Sequence, residues 1–159
     1  MNKIKFISPT KGVMPFSRML DDILGFMEEK PDEKFNLIIG TDSHTKEESC
    51  FVTAVIIHHI GKGARYYYHK KKQRKIFSLR QKLFYEAAIS LETAGRVAKY
   101  LAENGHEKLN DEIHLDMGNA GETRTLIKEI VGMVVGSGFS AKIKPDSSGA
   151  SKVADKHTK

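Results

Sequence analysis

Apolar and polar residues change period several times along this chain, and each change marks an element. Met19, Ile23, Phe26 and Met27 recur at helical spacing within SRMLDDILGFMEEK, where Ser17 reads as the N-cap and Pro31 follows the end. Residues 36–44 (NLIIGTDSH), 50–59 (CFVTAVIIHH) and 64–72 (ARYYYHKKK) are strand-like runs with no helix between them. The gaps TKEES and IGKG are of hairpin length and rich in turn residues, which predicts an antiparallel meander. A long helix over about 78–103 sets Leu79, Leu83, Ala87, Leu91, Ala94, Ala98 and Leu101 on one stripe, with Gly105 as its stop. DEIHLDMG at 111–118 is a further strand. ETRTLIKEIVGMVVGSG is a helix with Leu126, Ile127, Ile130, Val131, Val134 and Val135 on one face, SAKIKPD a short strand, and SSGASKVADKHTK a short final helix.

The order is β-β-β-α-β-α-β-α with an added N-terminal helix. It predicts an α/β fold in which a hairpin half is followed by crossover units that lay parallel strands beside the first one. A receiver-like doubly wound fold needs a helix between its first two strands, and here only five residues separate them. Residues 1–35 read as an extension packed on the core and residues 36–159 as the domain proper, within one structural domain.

A length of 159 residues at 40% hydrophobic content agrees with one core. The single cysteine, Cys50, rules out an internal disulfide and reads as a structural thiol. With no cleavable leader pattern and no apolar run of membrane length, the expectation is a cytoplasmic protein with no membrane partner. The net charge of +6 is uneven, because HKKKQRK at 69–75 follows directly on RYYY. Lys70, Lys71, Lys72, Arg74 and Lys75 there suit a phosphate backbone, with tyrosines at hand for stacking. A solvated face on an edge strand explains the same block equally well. Phosphate-loop, CxxC and HExxH patterns do not occur, which removes the main support for nucleoside triphosphatase, zinc-finger and zincin readings.

The chemistry lies in the acids. Alternation along residues 36–44 puts Ile38, Gly40 and Asp42 on one face, and a carboxylate at the margin of a core is costly unless paired, hydrogen-bonded or bound to a cation. In DEIHLDMG the same parity pairs His114 with Asp116. If the two strands are parallel neighbours, Asp42 and Asp116 stand side by side, an arrangement that hard divalent ions use. On the long helix Glu86 lies at the margin of the buried stripe while Glu92 projects into solvent, so Glu86 is preferred. On the final helix Asp155 is preferred to Asp146, which an N-cap role already explains. Taken singly, each acid has an ordinary structural reading as a cap or a surface charge. His44, His114 and His157 are secondary candidates, with a satisfied core histidine the simpler account of His114, and His58 and His59 point to opposite faces and share no metal.

This order of strands and acids resembles the ribonuclease H-like superfamily, and IGTDSH, HLDMG and KPDSSGASKVADKHTK resemble its YkuK-type family of bacterial proteins. The resemblance covers nearly the whole chain. It implies a five-stranded mixed sheet and metal-binding acids at positions that correspond to Asp42, Glu86, Asp116 and Asp155. The expected activity is a nuclease that hydrolyses phosphodiester bonds in RNA, RNA–DNA hybrid or branched DNA with two Mg2+ or Mn2+ ions. The alternatives are a non-catalytic nucleic-acid-binding module that keeps the fold and, from another class, a protein-interaction scaffold.

Overall fold

The computed structural model describes residues 4–107, 109–117, 124–144, 146, 147, 150, 153, 156 and 157. Two short strands, β1 (Lys5–Ser8) and β2 (Gly12–Pro15), precede helix α1 (Phe16–Glu28). The meander follows as β3 (Phe35–Thr45), β4 (Ser49–His59) and β5 (Gly63–Gln73), then the long helix α2 (Leu79–Glu103), β6 (Asn110–His114), α3 (Arg124–Gly136) and β7 (Ser140–Lys142). Among the described residues the sheet has seven strands in the order β2-β1-β5-β4-β3-β6-β7.

The five expected strands are all present, as β5-β4-β3-β6-β7, with β4 antiparallel to β3 and β5, and β6 and β7 parallel additions beside β3. The expectation of five strands in all is corrected to seven. The first residues form an antiparallel hairpin whose strand β1 adds to β5, with Ile7 opposite Tyr68. Four-residue strands are too short to display a period, and this pair is held by the sheet it joins. β5 is therefore flanked on both sides at Tyr68, just before its basic block. Ser17 is not the cap of α1 either. Pro15 holds that place in extended conformation, and its restricted φ carries the chain from β2 straight into the helix.

Two faces of the sheet are covered. Leu37 and Ile39 of β3, Val55 and Ile57 of β4, Tyr67 and Ile113 pack with α1, α2 and α3 in the main core. On the opposite face Ile38 and Ile56 pack against Ala150, and Val52 and Ala54 against Val153. Ala150, Val153, Lys156 and His157 are helical. Coverage on both sides explains why β4 reads as a continuous apolar run rather than an alternating one. Gly40 is where the two sides meet most closely. A Cβ there would lie 2.7 Å from Ala150 Cβ and 3.0 Å from the His114 carbonyl oxygen, so only glycine lets this helical segment sit down on β3.

α1 is tied to the sheet by Asp22. It accepts hydrogen bonds from Lys11 and from the Tyr67 hydroxyl, and Arg65 lies 3.5 Å away. Burial alone would raise the Asp22 carboxyl, but these donors hold it below its ordinary range. α2 starts at Ser78, whose side chain accepts from the Gln81 amide, and ends before Gly105 at φ +92°. Two apolar expectations fail at helix ends: Leu79 and Val135 are 54% and 57% exposed, because these turns lie at or near the ends of their helices.

Candidate functional site

Beyond Ile39, β3 carries polar residues on both faces, and each face uses them differently. Thr41 and Ser43 point toward α2. Thr41 Oγ1 lies 2.8 Å from Ser90 Oγ and 3.1 Å from Thr53 Oγ1, and the Ser43 hydroxyl donates to Glu86 Oε2 at 2.5 Å. Glu86 belongs to the buried stripe with Leu83, Ala87 and Ser90 and is only 6% exposed. Burial pushes its carboxyl up to about 8. The charges of Asp42 and Asp116 push in the same direction, while the Ser43 hydrogen bond and the Lys82 ammonium oppose them. Glu92 is exposed and lies 3.6 Å from Arg96, so the preference for Glu86 as the inward acid matches the placement of both.

Asp42 projects from the face opposite Ser43. β6 runs parallel to β3 in the register Ile39 with Ile113 and Gly40 with His114. Continuing that register by two residues sets Asp42 beside Asp116. β6 stops at His114, so Asp116 stands just past the strand rather than on it as DEIHLDMG suggested. Asp116 itself sits at a bend between two backbone hydrogen bonds, from the Leu115 amide to the Lys142 carbonyl at 2.8 Å and from the Lys144 amide to the Met117 carbonyl at 3.0 Å. Asp116 Oδ1 is 3.0 Å from Lys144 Nζ.

Asp42, Glu86 and Asp116 thus act on one another at one end of the sheet, while Asp155 lies outside the described residues. Carboxylate oxygens suit a hard ion such as Mg2+ or Mn2+ in kind. As the chain stands, however, Lys144 holds Asp116, and among the described residues no group of three or more His, Cys, Asp or Glu is close enough to hold a metal ion.

Two of the secondary candidates, His114 and His157, are engaged by other partners. His114 is buried; its Nε2 is 3.1 Å from Glu112 and its Nδ1 accepts from the Ala150 amide at 3.5 Å, so both nitrogens are engaged away from Asp116. His157 stacks on Tyr68 at 3.7 Å and lies 3.4 Å from the Tyr66 hydroxyl, as part of the packing of the final helical residues. Asp146 is exposed in a turn, its amide donating to Ile143. His59 is buried against Phe35 with Glu33 at 2.9 Å from Nε2.

The basic block divides by strand parity. Lys70 stands opposite Val52, itself opposite Asp42, and Lys72 stands opposite Cys50, itself opposite His44. Lys70 and Lys72 therefore line a groove on the Asp42 face, together with His44, Lys46, Cys50 and two acids, Glu47 and Glu48. Lys71 turns to the other face and donates to the Tyr85 hydroxyl at 2.6 Å. Arg74 and Lys75 follow the strand, with Lys75 5.2 Å over the Phe77 ring. Two residues of the site escaped the sequence reading, Ser43 and Lys144. Ser43 was open to parity, since it alternates with Asp42. Lys144 needed the β6–β7 register, in which His114 stands opposite Lys142.

A family model described as ribonuclease H-like matches residues 18–159. A protein of Bacillus subtilis (strain 168), named Uncharacterized protein YkuK, is 33% identical over 171 residues, spanning 97% of this chain and 96% of that protein. No solved structure matches.

Proposed function

We propose, because the chain belongs to the ribonuclease H-like family and to its YkuK-type group, that it is a Mg2+- or Mn2+-dependent nuclease acting on RNA, RNA–DNA hybrid or branched DNA. The observation that carries this reading is that buried Glu86 on α2 responds to the charges of both Asp42 and Asp116, acids from two further elements. Asp42, Glu86 and Asp116, with Asp155 as the fourth acid, are the residues that would hold two ions. The chemistry supplied by ions held there would be a lowered pKa for an attacking water and charge stabilisation at the leaving oxygen of a phosphodiester.

The chain's own residues do the rest. Ser43 orients the Glu86 carboxyl, which must lose its proton to become a ligand. Lys70 and Lys72 hold backbone phosphates on the Asp42 face, with Arg74 and Lys75 extending that surface and Lys71 contributing little. The activity would reside in residues 36–159, with 1–35 as cover, in the cytoplasm. No helix among the described residues is long and apolar enough to cross a membrane.

The test is cleavage of labelled structured RNA, hybrid duplex and branched DNA in Mg2+ or Mn2+, with a chelated control. Cleavage that needs the ion is expected. A non-catalytic binding module is the second reading, favoured by the Lys144–Asp116 pair and by a Glu86 that is largely protonated at neutral pH. It predicts binding without cleavage under every condition.

Both readings share a prediction for the groove. Removing Lys70 and Lys72 together, as Lys70→Met/Lys72→Met, should weaken duplex binding and reduce the slope of log affinity against log salt by roughly 2. Lys71→Met should leave the slope nearly unchanged. Fluorescence anisotropy across a salt series checks this, and equal slopes for the two variants would refute the division by face.

A further inference from the structure

Strands β3, β6 and β7 are parallel and share one register, in which Gly40, His114 and Lys142 stand opposite one another. Two residues beyond these positions stand Asp42, still on β3, Asp116, in a bend past the end of β6, and Lys144, in a turn past the end of β7. The third is a cation. Its amide donates to the Met117 carbonyl at 3.0 Å, and its ammonium reaches Asp116 Oδ1 at 3.0 Å. An ordinary surface ion pair would account for a lysine near an acid. This acid, however, is one of those proposed to hold metal, and the pair occupies an oxygen that an ion would need.

We propose that Lys144 is the built-in counter-ion of Asp116, holding it in the metal-free protein and yielding it to a divalent ion. The inference rests on the nuclease reading of the same site. The ammonium and a metal ion cannot both use Oδ1, and two cations on one carboxylate repel. Lys144 is 59% exposed and its four-carbon stem rotates freely, so release costs no backbone movement. Once displaced, the ammonium stays within reach of the site, where it positions a non-bridging phosphate oxygen of the substrate. Lys144 is thus a positioning residue with two successive partners.

Mn2+ binding to the full chain without nucleic acid, read from the electron paramagnetic resonance signal of free Mn2+, separates the possibilities. Lys144→Met should bind Mn2+ roughly three- to fivefold more tightly than wild type, the gain from removing one competing exposed ion pair. Lys144→Arg, which keeps the charge, should stay near wild type. At saturating Mn2+ the Met variant should cleave more slowly despite its tighter binding. Unchanged or weaker Mn2+ binding in Lys144→Met, with binding lost in Asp42→Asn, would overturn this inference and leave the nuclease reading in place. Failure of wild type and Lys144→Met alike to bind Mn2+ would remove both.

Discussion

Asp42→Asn is expected to lower ion-dependent phosphodiester cleavage by about 10³-fold, with binding of the substrate nearly intact. Asparagine keeps the shape and one acceptor oxygen but removes the charge that would hold an ion between β3 and the segment after β6. An ion that stabilises transition-state charge contributes several kcal/mol, and about 4 kcal/mol corresponds to about 10³ in rate. On the proposed placement of the phosphate backbone at Lys70 and Lys72, the loss should fall on turnover rather than on affinity. Single-turnover cleavage with saturating enzyme measures it. Equal cleavage rates for wild type and variant would end the case for Asp42 as a ligand, whereas binding by both with cleavage by neither would favour the module.

Glu86→Gln should separate stability from activity. In the protein without metal the Glu86 carboxyl titrates at about 8, against an ordinary value of 4.5, with burial the largest cause. The folded state therefore holds the proton more tightly than the unfolded chain. Stability is fully present below about pH 4.5, falls as pH rises toward 8, and levels off once the folded carboxyl has ionised. A displacement of this size corresponds to roughly 5 kcal/mol across that window. Glutamine still accepts from Ser43 and carries no charge. The variant should match wild type near pH 4.5 and exceed it by several kcal/mol at pH 9, as urea denaturation would record. Divalent ion should recover stability in wild type at pH 9, since it binds the folded state, and do so far less in the variant. Parallel pH profiles for the two proteins would show that Glu86 ionises as an ordinary surface acid.

These outcomes reflect how the acids are built into the fold. Asp42 and Asp116 were legible because strand alternation and the crossover order together say which side chains meet, and the parallel β3–β6 pairing follows from the same logic. Glu86 was legible against Glu92 because a helix has a buried stripe, and six residues further along the helix the side chain points to the other side. Lys70 and Lys72 were legible as charges. That Lys71 faces Tyr85 instead follows from parity, but which face holds the groove needed the packed sheet.

The sequence by itself determined the order of β3 to β7 and of the helices among them, the hairpin half and the parallel additions, and an acid near the end of each of two strands. Periods of 2 and 3.6 residues are local, and the chain displays them wherever an element is long enough. The tertiary structure alone decided the rest. The β1–β2 hairpin exists because β5 offers an edge to pair with, and four residues carry no period of their own. Glu86 is an unusual acid because α2 buries it against β3, and burial belongs to the assembled layers rather than to any segment. Lys144 meets Asp116 across a register set only when β7 docks on β6. Charge acts through space, so a constellation of charges is written in the fold and only hinted at along the chain.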